Sequence, residues 1–71
     1  MSGLLLYQVA QMYGLSVGET EALPHNVRVK MIEMIDDGNL AVVCVMFSEI
    51  AHEGVDPEAD DFLDKYKEFE Q

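Results

Sequence analysis

The chain has 71 residues, 49% of them hydrophobic, and its fourteen acidic and four basic side chains give a net charge of −10. This length is typical of one small domain, residues 1–71, and excludes a multidomain protein. A surface this acidic repels phosphate groups, so direct binding to DNA or RNA is not expected.

The sequence also argues against secretion and membrane contact. Residues 1–13 lack the basic region and the small-residue cleavage site of a secretory signal. The longest apolar run, residues 40–47, is too short to cross a bilayer. Cys44, the single cysteine, lies in this run, where we expect a buried and reduced thiol. We therefore expect a protein of a reducing, intracellular setting.

The first predicted helix covers residues 3–13. Gln8 and Gln11 lie opposite its apolar face, and Gly14 follows at the left-handed position that ends many helices. The apolar face consists of Leu5, Leu6, Val9, Met12 and Tyr13.

A serine cap predicts a second, short helix. Ser16 and Glu19 are three residues apart, as in a capping box. The sequence Leu23-Pro24 then ends this helix and begins a third one.

The segment "PHNVRVKMIEMIDDG", residues 24–38, is compatible with two structures. Its first apolar residues alternate with basic ones, as in a strand, and "DDGN" could close a hairpin. The alternation fails at residues 31–32 and 34–35, where apolar residues are adjacent. At helical spacing, one arc contains Val27, Met31, Ile32, Met34 and Ile35, so a helix is favoured.

The segment "NLAVVCVMFSEIAHEG", residues 39–54, contains valines that also suit a strand. Asn39 and Gly54 can serve as a helix cap and a helix stop. Intervals of three and four residues separate Leu40, Val43, Phe47 and Ile50. This spacing predicts a helix that is apolar on nearly all sides and therefore central in the fold.

The last predicted helix begins at Asp56 as N-cap, with Pro57 in its first position. Acids near its start and lysines near its end match the helix dipole. Its apolar stripe contains Ala59, Phe62, Leu63, Tyr66 and Phe69. The sequence therefore predicts an all-α fold, a compact bundle of four or five short helices.

Motifs of a reaction or of a metal site are not recognisable in the sequence. An EF-hand loop counted from Asp56 would need glycine and glutamate where Asp61 and Lys67 stand. His25 and His52 lie near predicted helix ends, which is typical of surface residues. We therefore expect no enzyme, no cofactor and no bound metal.

The stretch "VAQMYGLSVGETEALP", followed by "VRVKMIEMI", resembles the small tail assembly proteins of tailed bacteriophages. The shared pattern is carried by Gly14, Leu15, Ser16, Glu19, Leu23 and Pro24 and covers roughly residues 8–35. Beyond it the chain departs from the group, whose members continue with tryptophan-bearing helices, because it contains no tryptophan. The resemblance implies a non-enzymatic phage protein of the virion or the host cytoplasm that binds other virion components.

Two functions remain open. The first is a protein–protein interaction module, a small phage structural or tail-assembly protein whose partner is a virion component or a second copy. The alternative is an acidic phage-encoded inhibitor that occupies the basic nucleic-acid-binding surface of a host protein. Residues 49–71 carry a charge of −7, which could equally serve solubility alone. The candidate partner-binding residues there are Asp60, Asp61, Asp64, Glu68, Tyr66 and Phe69.

Overall fold

The computed structural model describes residues 2–69, and the side chains of residues 3–68. Four α-helices are followed by one 3₁₀ helix: α1 (Ser2–Met12), α2 (Val17–Glu21), α3 (His25–Asp36), α4 (Leu40–His52) and the 3₁₀ helix Asp64–Phe69. Residues 2–69 contain no strand. The radius of gyration is 10.9 Å, close to the roughly 11 Å expected of a compact chain of this length. The predicted all-α bundle is confirmed, and the hairpin alternative is wrong.

The turn between α1 and α2 forms as the sequence predicts. Gly14 has a φ of +93°, in the left-handed region that side chains disfavour. The Ser16 hydroxyl accepts a hydrogen bond from the Glu19 N–H at 3.1 Å, and Glu19 Oε1 accepts one from the Ser16 N–H at 2.9 Å. This reciprocal pair is a capping box, and it fixes where α2 begins.

Replacing Ser16 with alanine is expected to lower the free energy of unfolding by about 1 kcal/mol, because the Glu19 N–H loses its partner at the start of α2. Urea denaturation of the two proteins measures the difference. Glu19→Gln is the matched control, since glutamine can form the same reciprocal pair and should cost much less. Equal stability of Ser16→Ala and the parent would show that the cap does not contribute.

The hydrophobic core lies between α1, α3 and α4, with α2 packed on α1. Its buried members are Leu6, Val9, Ala10, Leu15, Leu23, Val27, Met31, Met34, Val43, Met46, Phe47, Phe62 and Tyr66. The apolar arc predicted for α3 is confirmed, because three of its residues are buried and Ile32 and Ile35 are partly buried against them.

Two side chains predicted to face the core lie at the surface instead. Met12 is 80% exposed, because at 100° per residue it lies on the side of α1 opposite the buried Ala10. Leu40 is 37% exposed, because helical side chains lean toward the helix N-terminus and Leu40 is the first residue of α4.

The helix α4 is apolar on nearly all sides, as predicted, but the central position predicted from this does not enclose it fully. Val43 and Phe47 are fully buried, whereas Val45 is 47% exposed and Ala41 is exposed. One apolar face of α4 therefore contacts solvent.

Both ends of α4 lie where the sequence predicts them. Gly54 has a φ of +71° and stands just after the helix, as the predicted stop. Asn39 precedes the helix, but its side chain makes no capping hydrogen bond.

The predicted α-helix from Asp56 onward is wrong in type and in starting point. Turns occupy residues 57–63, and only the 3₁₀ helix Asp64–Phe69 follows. Asp56 Oδ1 accepts the N–H of Glu58, two residues on, which is a turn contact and not a helix cap. Neighbouring aspartates at positions 60, 61 and 64 repel one another, and aspartate is a poor helix former. The backbone instead adopts turns and a 3₁₀ helix that place Phe62 and Tyr66 in the core.

Candidate functional site

An open groove of about 570 Å³ lies where the α1–α2 and α2–α3 turns meet the end of α4 and the turn at residues 57–58. Leu15 and Leu23, each only 7% exposed, contribute apolar side chains to it, and Ile50 of α4 adds a third. Glu19 and Glu58 supply carboxylates. We call this surface the acidic groove.

Glu19 brings a positioned negative charge to the acidic groove. The hydrogen bonds to the backbone and the side chain of Ser16 hold the pKa of its carboxyl below the usual range. The carboxylate is therefore ionised at neutral pH and held in place by the capping box. The same contact that begins α2 thus orients a charge at the groove.

Glu58 brings the second charge from the other side. Its backbone N–H donates to Asp56 Oδ1 at 2.9 Å, which orders the turn that carries it. Both charged side chains among the residues that line the groove are acidic. The arrangement therefore favours a cation next to an apolar group.

The acidic groove continues into a neighbouring depression of about 250 Å³. The two share Pro24, Pro57 and Glu58, and Asp60 borders the depression at its far side. Together they form one continuous surface that includes the carboxylates of Glu19, Glu58 and Asp60. A surface that continues from one depression into the next can hold successive side chains of a chain segment.

The four acids predicted to bind a partner are all exposed, but they do not form one site. Asp60 borders the depression beside the acidic groove. Asp61 and Asp64, together with Lys65, line another pocket, which adjoins the depression but not the acidic groove itself. Glu68 lies on the exposed side of the 3₁₀ helix.

The two aromatic residues of that prediction are placed differently. Tyr66 is 2% exposed, so its ring is part of the core and is not available at the surface. The side chain of Phe69 lies outside the described part of the chain. Partner binding by the C-terminal segment would therefore depend on its acids.

Tyr66 anchors the 3₁₀ helix to α4. Its hydroxyl donates to Glu49 Oε1, and Lys65 Nζ pairs with the same oxygen at 2.6 Å. The hydrogen bonds from Lys65 and then from Tyr66 lower the pKa of Glu49. Burial and the Glu49 carboxylate raise the pKa of Tyr66 well above its ordinary value. This cluster stabilises the fold and is separate from the acidic groove.

Cys44 is a free cysteine, half-buried against the core, and is thus less buried than predicted. The neighbouring Cys44 side chain raises the pKa of Tyr13, through a side-chain hydrogen bond. The Tyr13 ring lies 6.2 Å from that of His52. These contacts tie the end of α1 to α4, at one wall of the acidic groove.

Neither the acidic groove nor the role of Glu49 is among the features predicted from the sequence. The groove combines residues from three separate turns, and its one visible signal, Glu19, was explained completely by the capping box. Glu49 could have been noticed as an acid in a helix with few polar residues.

Three comparisons with known proteins found no match: no protein-family model, no curated protein and no solved structure is similar to the chain. Within residues 2–69, histidines, cysteines and acids form no group of three that could hold a metal ion. None of the helices in this range has the length and apolar character needed to cross a membrane.

Proposed function

We propose that this chain is a non-enzymatic protein–protein interaction module that assembles with other proteins through apolar contacts. The observation that carries the proposal is the outer face of α1. Leu4 is 64% exposed and Met12 is 80% exposed, and they stand eight residues apart on the same side of the helix, with Gln8 between them.

The outer face of α1 is also uncharged. No acidic or basic residue occurs within α1, although the chain as a whole carries a charge of −10. An uncharged, partly apolar face on an otherwise acidic molecule can contact a partner without desolvating charges. Such a face is what an assembly protein requires.

The resemblance at residues 8–35 gives this module a biological class. It supports a small structural or tail-assembly protein of a bacteriophage, in which the partner is another virion component. The end of α1, with Met12, lies within the range of roughly residues 8–35 that the resemblance covers, although Met12 is not one of the residues that carry it.

One observation favours the second candidate, an acidic inhibitor of a basic host protein. Asp61, Asp64 and Glu68 are all exposed on the C-terminal segment, where they present negative charge to solvent. An inhibitor that imitates nucleic acid would bind through these charges and would lose affinity steeply in salt.

Affinity capture from the cells that produce the protein separates the two functions. The tagged parent is compared with Leu4→Gln/Met12→Gln, which changes no charge, and with Asp61→Asn/Asp64→Asn/Glu68→Gln. We expect one dominant protein partner at both low and high salt, lost in the first variant and retained in the second. Circular dichroism controls for folding of both variants.

The reverse pattern would replace the assembly function with the inhibitor function. In that case the partner is captured by Leu4→Gln/Met12→Gln, is lost when the three acids are neutralised, and is released by salt. If the folded parent captures no protein under either condition, the interaction function itself is wrong.

A further inference from the structure

We propose that the acidic groove binds a segment of the partner protein in which an apolar side chain stands next to a lysine or arginine. This inference rests on the proposed interaction function and specifies the chemistry of a second contact. It follows from the apolar surface of the groove, its charge and its shape.

The apolar part of the groove sets the first requirement. Leu15, Leu23 and Ile50 line a volume of about 570 Å³, which lies within the range of roughly 300–1,000 Å³ typical of ligand sites. Leu15 and Leu23 are almost fully packed in the core, so this surface is held rigidly. An apolar side chain that enters the groove contacts this preformed wall and covers the exposed part of the half-buried Ile50, without reorganising the core.

The charges set the second requirement. Glu19 is fixed by its bond to the Ser16 N–H, and Glu58 faces the groove from an ordered turn. Since both charged side chains of the lining are acidic, a cation beside the apolar anchor is attracted and an anion is repelled.

The shape and the net charge decide between occupants. The groove and the depression beyond Pro24 and Pro57 are continuous, and their volumes of about 570 and 250 Å³ leave room for more than one side chain of a bound segment. A second copy of the chain would bring a second net charge of −10 toward this surface, and it contains only four basic residues that could pair with the groove carboxylates. A basic, partly apolar segment of a different protein matches both features.

Selection from a yeast-displayed library of random twelve-residue peptides tests the inference without knowledge of the partner. The parent is the positive target and Ala51→Lys is the negative one. Ala51 is exposed in the last turns of α4 and lines the groove, so a lysine there is tolerated by the helix and competes for Glu19 and Glu58. We expect the enriched peptides to share an apolar residue beside Lys or Arg.

Charge-neutral variants then measure the contribution of the groove carboxylates. Fluorescence anisotropy with an enriched peptide should show roughly five- to tenfold weaker binding to Glu19→Gln/Glu58→Gln. Asp61→Asn/Asp64→Asn changes the net charge equally, but neither residue lines the acidic groove or the depression, so the affinity of this variant should change less than about twofold. The glutamine at position 19 retains the capping box.

Several results would overturn the inference. In the selection, these results are no enrichment at all, enriched peptides that are acidic or purely apolar, and peptides that bind Ala51→Lys as well as the parent. In the anisotropy measurement, it is an equal loss of affinity in both neutralised variants. Sedimentation that shows a dimer of the parent, dissociated by Ala51→Lys, would assign the groove to a second copy. If the peptide experiments fail but the parent still captures its cellular partner, the groove contact alone is rejected. If the parent captures no cellular partner, the interaction function itself is rejected.

Discussion

Replacing Phe47 with alanine is expected to lower the free energy of unfolding by about 3–5 kcal/mol. Phe47 has no exposed surface and stands in the core, between α4 and its neighbours. The substitution removes apolar contacts and leaves a cavity that close-packed neighbours fill only partly. A domain of this size has a total free energy of unfolding of only about 3–5 kcal/mol, so the variant should be largely unfolded at 37 °C. Thermal and urea denaturation, followed by circular dichroism, measure the effect.

Val45→Ala is the matched control for this experiment. Val45 lies on the same helix but is 47% exposed, so its truncation should cost less than about 1 kcal/mol. Both proteins are compared at concentrations where they are monomeric. A Phe47→Ala variant that melts within a few degrees of the parent would contradict the assignment of Phe47 to the core.

Local sequence rules predicted the first three quarters of the fold. The capping pair Ser16 and Glu19 and the stop signals Gly14 and Gly54 depend on contacts between residues close in sequence. The apolar arc of α3 also identified its buried side, because helical geometry fixes which side chains share a face. Such features can be inferred without knowledge of the tertiary structure.

The C-terminal segment could not be predicted in this way. Its stripe of Phe62 and Tyr66 has helical spacing, and both side chains are buried as that stripe suggests. The same burial is achieved by turns and a 3₁₀ helix, because the segment packs on an existing bundle and Tyr66 finds Glu49 there. A contact across 17 residues has no signature in local periodicity.

The acidic groove escaped prediction for a related reason. Its walls come from the turns around Leu15 and Leu23, from Ile50 of α4 and from Glu58. None of these residues forms a motif with the others in sequence, and only packing brings them together. The four predicted acids, Asp60, Asp61, Asp64 and Glu68, are all exposed, but composition could not separate Asp60, beside the groove, from the others.

The attachment of the C-terminal segment depends on pH through two groups. The pKa of Glu49 is lower in the folded chain than its ordinary value of 4.5, so its stabilising contribution is complete above that value and is lost as the pH falls through the folded value. The pKa of Tyr66 is raised above its ordinary value of 10.0, so its contribution is complete below pH 10.0 and is lost as the pH rises further. The bond between them is therefore fully stabilising only at intermediate pH.

Tyr66→Phe is expected to lower the free energy of unfolding by about 1.5–3 kcal/mol near pH 7, because it removes a partly buried hydrogen bond to a carboxylate while the ring stays packed beside Phe62. The stability difference from the parent should narrow in acid, as the pH falls through the lowered pKa of Glu49, and in alkali above pH 10.0, the ordinary pKa at which Tyr66 ionises in the unfolded parent. Urea denaturation at several pH values measures this profile.

Lys65→Met is the comparison. Lys65 is 47% exposed, so the loss of its ion pair with Glu49 should lower the free energy of unfolding by less than about 1 kcal/mol, and this difference should become smaller as salt is added. A stability difference for Tyr66→Phe that stays constant from acid to alkaline pH would show that the hydroxyl is solvated and that burial of the ring alone holds the segment on α4.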